Sequence, residues 1–130
     1  MSFEIYDNRA NRGSDMFIAV DSQSRLYLSQ ALQRELGCIG LPIELYLAYD
    51  KINKRIAIAK PDIVRLTNVR PFRFDGDRHY ANAGNFLRDN RIPARHHRYY
   101  YDGREQAGDF KGWLTFRLED YDAPDGVSLS

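Results

Sequence analysis

Arginine is the residue type in this chain that is best placed to do chemistry. Arg9 and Arg12 stand three apart in a polar stretch, residues 7–14, and Arg25 follows Asp21 at the end of a second polar turn. A guanidinium can fork onto phosphate oxygens or onto a guanine edge, which makes Arg9, Arg12 and Arg25 the candidate contacts to double-stranded DNA. A second group, Arg88, Arg91, Arg95, His96, His97 and Arg98, runs into Tyr99, Tyr100 and Tyr101. Basic groups interleaved with aromatics can follow a phosphate backbone while rings stack on bases, so Arg91, Arg95, Arg98 and Tyr100 form a candidate second binding surface. Each set has a plainer reading. Arg25 can be a strand-end residue paired with Asp21, the arginines at 9 and 12 can sit in a solvated connector, and tyrosines at strand period are often core and rim.

Other chemistry finds little support. There is no glycine-rich phosphate loop, nucleophile elbow, Cys-x-x-Cys pair or His-Glu-x-x-His. Of the histidines, His79, His96 and His97, the adjacent pair would point to opposite faces of a strand and could not chelate one ion from regular β structure. Cys38 is a single thiol that reads as a small apolar residue after a helix, and one cysteine fits a reducing compartment. The expectation is a protein without enzymatic activity, metal or cofactor.

Length and composition bound the fold. At 130 residues, with 43% hydrophobic and 13% aromatic residues, the chain can bury a core without staples. No apolar run approaches a membrane span and no signal-like segment follows Met1, which predicts a cytoplasmic protein with no membrane partner. The net charge of +1 hides an asymmetry: all 19 basic groups but only 14 of the 18 acidic ones precede residue 119. A modestly basic body suits a polyanion.

The elements that would position the arginines lie between residues 16 and 60. Residues 16–20 read as a strand; Leu26 and Leu28 alternate with Arg25 and Tyr27 as another; Ser29 stands at a helix N-cap; Leu32 and Leu36 follow one turn apart; and Gly37 ends the helix. Residues 43–49 then alternate, with Ile43, Leu45, Leu47 and Tyr49 on one face and Glu44, Tyr46 and Ala48 on the other. Asp50 and Asn53 turn the chain into residues 55–59.

The order D-x-x-x-R-L-Y-L-S-x-A-L-x-x-E-L-G, then I-E-L-Y-L, then N-x-R-I-A-I, resembles the AbrB/MazE/SpoVT family of swapped-hairpin DNA-binding domains over residues 15–60. It departs from the family pattern at Ser24, where glycine usually precedes the arginine, and at Ser29, where proline usually starts the helix. The resemblance implies a dimer of interdigitated hairpins with arginines on one side contacting DNA. Only Arg25 is carried over from the family pattern at a definite position.

Residues 61–71, bounded by Pro61 and Pro71, read as a linker holding one strand at 63–66. Residues 72–119 read as a second unit. Laying Asp75 onward on the Asp21 stretch puts Arg78 on Arg25, Tyr80 on Tyr27 and Asn82 on Ser29, with Asn82 as the N-cap and Ala83, Phe86 and Leu87 as a helix face. Strands follow at 98–101 and 112–118. The rival reading is an unrelated α+β module. Residues 3–6 read as an edge strand and residues 120–130 as a flexible acidic tail.

The expected fold is mainly β with two short helices, an AbrB-like swapped-hairpin β-barrel whose plan is written twice in the chain. The expected function is a small DNA-binding transcriptional regulator, acting as a homodimer or higher oligomer because the apolar hairpin face needs a second copy to cover it. The competing function is a protein-binding module, antitoxin-like or an inhibitor, that grips its partner with the aromatic C-terminal hairpin.

Overall fold

The computed structural model of the chain describes residues 15–125. The expected strand at 3–6, and Arg9 and Arg12 with their loop, lie outside these residues.

Phe17–Val20 (β1) and Arg25–Leu28 (β2) form an antiparallel hairpin whose inward residues, Ile18, Val20, Leu26 and Leu28, are fully buried. Its turn keeps a left-handed residue, Ser24 at φ 60, although no glycine is available. The Asp21 carbonyl accepts from Ser24 N–H and the Asp21 carboxylate accepts from Gln23 and Arg25 N–H, which offsets the steric cost. Ser29 caps the helix Gln30–Leu36 (α1): its Oγ accepts from Leu32 N–H at 3.2 Å and also from Phe17 N–H at 3.0 Å, tying the helix start to β1. Gly37, at φ 72, closes the helix. Ile43–Asp50 (β3) and Arg55–Ala59 (β4) make the expected hairpin, turned by Asp50, whose carboxylate accepts from Ile52 and Asn53 N–H.

The linker does not contain the expected strand. Ile63 and Val64 N–H both donate to the Lys60 carbonyl, so residues 60–64 form a compact turn, because Pro61 ends the ladder immediately after β4. Phe72–Phe74 (β5), unassigned from sequence, pairs instead with β3. Tyr80–Asn82 (β6) pairs with β2. The second helix, Gly84–Asp89 (α2), is not capped by Asn82. Ala83 holds the cap position with no side-chain bond, while Asn82 ends β6 and its Oδ1 accepts from Gly84 N–H. His97–Arg104 (β7) and Leu114–Leu118 (β8) complete the fold, with a register shift between Tyr101 and Gly103.

All eight strands join one antiparallel, barrel-like sheet in the order β5-β3-β4-β8-β7-β1-β2-β6. Its two ends are consecutive in sequence. The turn 75–79 links β5 to β6, and Asp75 N–H donates to the Tyr80 carbonyl, so the ring nearly closes. Exchanging β1–β4 for β5–β8 and α1 for α2 maps this order onto itself. The registers obey the same exchange: Ile18 opposite Tyr99 corresponds to Phe72 opposite Leu45, and Arg25 opposite Asn82 corresponds to Tyr80 opposite Tyr27. The matching bonds Leu28 N–H to His79 O and Ala83 N–H to Ser24 O extend it. The counterpart of Arg25 is therefore Tyr80 rather than Arg78: the registers match Asp75 to Asp21, one position off the sequence alignment, and the Asp75 turn is one residue longer than the Asp21 turn.

The core draws on both halves: Ile18, Leu26, Leu28, Leu32, Leu45, Ile56, Ile58, Phe74, Leu87, Tyr99 and Phe116 are all buried in one cluster. Pairs of strands from the two halves alternate around the barrel, so the hairpin β3–β4 is flanked by β5 and β8 of the same chain. Leu45, Ile56 and Ile58 are fully buried without a second copy. Residues 120–125 fold back on the barrel: Tyr121 OH donates to the Ile52 carbonyl, and Asp125 binds Arg117 through both oxygens. Among the described residues no helix is long and apolar enough to cross a membrane.

Candidate nucleic-acid interface

Alternation along β6, β2, β1 and β7, which are neighbours in that order, sends one aromatic from each strand to the outside of the barrel. Tyr80, Tyr27, Phe17 and Tyr100 line up with ring centroids 5.4, 6.3 and 5.7 Å apart in succession. Two arginines rest on this row. The Arg25 guanidinium lies 4.2 Å from the Tyr80 ring centroid and that of Arg98 lies 4.2 Å from Phe17. A guanidinium over a ring is desolvated on that side and ordered, while the N–H groups at its edge can still donate.

The two arginines differ in their anions. Arg25 Nε donates to Asp21 Oδ2 at 2.8 Å, and the Arg25 side chain remains 36% exposed. Burial pushes the Asp21 carboxyl up, but the hydrogen bonds from Arg25 and Gln23 outweigh it and hold the carboxyl below the ordinary carboxylate range. Arg98 makes no ion pair among the described residues; its Nη1 reaches Tyr100 OH at 3.4 Å, while its backbone N–H donates to Glu119 Oε2 at 3.0 Å. Between the ring row and β7 lies a depression of about 300 Å³ lined by Phe17, Tyr27, Tyr80, His96, His97 and Arg98, with Asp21 and Glu119 at its edge.

The second predicted surface is divided. Arg98 and Tyr100 share the outer face with Arg25, whereas Arg91 and Arg95, exposed on the α2–β7 connection, line a cleft of about 440 Å³ at the end of the barrel with Lys54, Tyr49, Tyr121 and Asp120. The two depressions adjoin, since His97 and Glu119 line both. His97 Nδ1 donates to the Arg95 carbonyl at 2.7 Å; burial lowers its pKa, and the nearby Arg95 charge acts in the same direction.

Phe17, Tyr27 and Tyr80 are the site residues that sequence reasoning passed over. Tyr27 and Tyr80 were visible as matching members of the two units, but that they are direct cross-strand partners follows only from the β2–β6 register. Tyr99 belongs to the core, its OH 3.2 Å from that of Tyr49. Cys38 is buried, which pushes its thiol up. Among the described residues no three His, Cys, Asp or Glu side chains gather as a metal site.

Comparison of the chain with family models, with curated proteins and with solved structures found no match.

Proposed function

We propose that the protein is a cytoplasmic, non-enzymatic DNA-binding regulator that carries an AbrB-like swapped-hairpin plan twice in one chain. The observation that carries the reading is the meeting of Arg25 and Arg98, from opposite halves of the sequence, on one outer face, each resting on an aromatic ring. The alternation of the two halves around the barrel is what interdigitated hairpins would produce if two copies were fused. Self-association is then an option for spanning a longer DNA site and not a packing requirement.

Anisotropy of a labelled duplex at two salt concentrations tests the reading. Arg25→Ala and Arg98→Ala should each weaken binding and lower the salt slope by about 1, with a loss on the order of 1–3 kcal/mol if either makes a bidentate base contact. Arg104→Ala and Lys111→Ala, on the distant hairpin, should change little. An absence of salt-dependent affinity for any duplex, or a larger loss at Arg104 and Lys111, moves the protein-binding reading ahead. That alternative is supported by Tyr101 and Phe110, the aromatics of the C-terminal hairpin that stay exposed while Trp113 and Phe116 are buried by their own chain.

A further inference from the structure

We infer that the ring-lined face takes unpaired bases: a single strand of nucleic acid lies along it, one base entering the depression beside Tyr27 and Tyr80 while the phosphates run past Arg98 to Arg91, Arg95 and Lys54. This rests on the nucleic-acid reading above and names the form of the ligand.

Three features of the face carry it. The first is the mixture of groups in the smaller depression. Phe17, Tyr27, Tyr80 and two histidines wall it, and its polar edge is carboxylate, Asp21 and Glu119, as well as Arg98. Carboxylates repel a phosphate, but they accept from the amino and imino N–H groups on base edges, as cytosine N4 offers. The Glu119 backbone N–H donates to the Arg98 carbonyl, and among the described residues its carboxylate accepts one hydrogen bond, at Oε2 from Arg98 N–H, which leaves Oε1 to accept. A duplex keeps its base faces stacked and could present only phosphates and groove edges here, whereas an unpaired base brings both a ring face and a donor edge.

The second feature is the adjoining cleft, where the charge balance reverses. Arg91, Arg95 and Lys54 line it against two carboxylates, Glu119 and Asp120, an excess of one cation where the smaller depression has an excess of one anion, and none of the three forms an ion pair among the described residues. Lys54 Nζ instead lies 5.3 Å from the centroid of the Tyr121 ring. The third is continuity: His97 and Glu119 line both depressions, so a strand can pass from the base-binding part to the phosphate-binding part without leaving the surface. Stacking platforms beside an electropositive track are how sequence-tolerant single-strand binding is achieved.

Anisotropy with the intact protein and labelled 12-nucleotide oligo(dC), oligo(dT) and a mixed-sequence duplex, at low ionic strength, tests it. Both single strands should bind at least about tenfold tighter than the duplex, with oligo(dC) ahead of oligo(dT), and Glu119→Gln should narrow that preference. Tyr27→Leu should lower single-strand affinity by about fivefold or more, and by a larger factor than it lowers duplex affinity. Tyr27→Trp adds a reporter on the face, and its emission should fall on adding oligo(dC), while Trp113, buried between Tyr46 and Phe110, does not respond. Duplex binding equal to or tighter than single-strand binding overturns the inference and leaves the DNA-binding proposal standing. Tight single-strand binding with an unquenched Tyr27→Trp overturns the placement on this face. No affinity for either form removes both proposals.

Discussion

The outer faces of the two half-barrels correspond position by position and have been used differently. On one, Arg98 stands across from Ala19 and Tyr100 across from Phe17. The corresponding positions on the other place Glu44 across from Arg73, so a cation there has an anion at the opposite position of the neighbouring strand. Tyr46, the counterpart of Tyr100, is only 6% exposed: Trp113 stacks on it at 6.5 Å and Ala59, Ala48, Ala57 and Val64 complete a second small apolar cluster. The compact turn at 60–64 supplies Val64, and the end of the β7–β8 connection supplies Trp113, so one face is covered by its own loops. On the β6-β2-β1-β7 face Phe17 is buried, but Tyr80, Tyr27 and Tyr100 stay half-buried, with arginines over Tyr80 and Phe17. A single strand plan thus yields one face covered by its own loops and one that keeps two arginines over aromatic rings, and both the residues on the strands and the connections separate them.

The strongest test of the correspondence is in the core. Leu45 and Tyr99 occupy matching positions and are both buried, so Leu45→Asp and Tyr99→Asp should each abolish folding, read by circular dichroism, because an unpaired carboxylate there costs several kcal/mol or more. If one variant stays folded at wild-type stability, the two halves do not share a core.

A smaller contrast lies in the two left-handed turn residues. His79, at φ 58, is buried and its Nε2 lies 2.7 Å from the Cys38 carbonyl and 2.9 Å from that of Leu41. Both neighbours are acceptors, so Nε2 carries the hydrogen and pins the 38–41 loop. His79→Ala should cost about 1–3 kcal/mol in urea unfolding, having left two carbonyls without their donor. Ser24, its counterpart, has no such burden, and Ser24→Gly should stabilise by up to about 1 kcal/mol by removing the left-handed penalty. Equal effects at the two positions would mean that the turns are not specialised.

The aspartates that open these turns sharpen the comparison through pH. Asp75 is held low by N–H groups of its own turn, first that of Arg78, with some opposition from burial. Asp21, where burial pushes harder, is brought low by backbone N–H groups and by the Arg25 guanidinium. With both pKa values depressed on folding, their contribution to stability is present above about pH 4 and drains away as pH falls through the folded-state values. Asp21→Asn should cost about 1–2 kcal/mol at pH 7 and reduce the acid sensitivity of unfolding; the exposed Asp75→Asn should cost less. Unchanged acid dependence in both variants would show that the turns do not hold their carboxylates in the ionised form.

The mildest expected change is Trp113→Phe on the covered face. Trp113 Nε1 is buried without a hydrogen-bond partner among the described residues, so losing it offsets part of the lost ring area, and stability should move by less than about 1 kcal/mol. DNA affinity should stay at the wild-type value; a drop would exchange the roles assigned to the two faces.

Local features of the chain were legible in the sequence because they are set by neighbours. Period-2 alternation at Leu26 and Leu28 and along residues 43–49, the Ser29 cap, the Gly37 stop and the Asp50 turn each depend on residues within a few positions. The same reasoning failed where a local signal had two outlets. Asn82 carries a capping side chain, but it pairs with Arg25 as the last residue of β6, one position ahead of the cap at Ala83. Residues 63–66 are apolar enough for a strand, yet Pro61 withholds the ladder they would need. Which strands become neighbours, and hence that Tyr80 meets Tyr27 while Arg25 and Arg98 share one surface, is a matter of closing a ring of eight strands around one core. Pairing across that ring joins residues far apart in the chain, and only the burial of both halves together decides it.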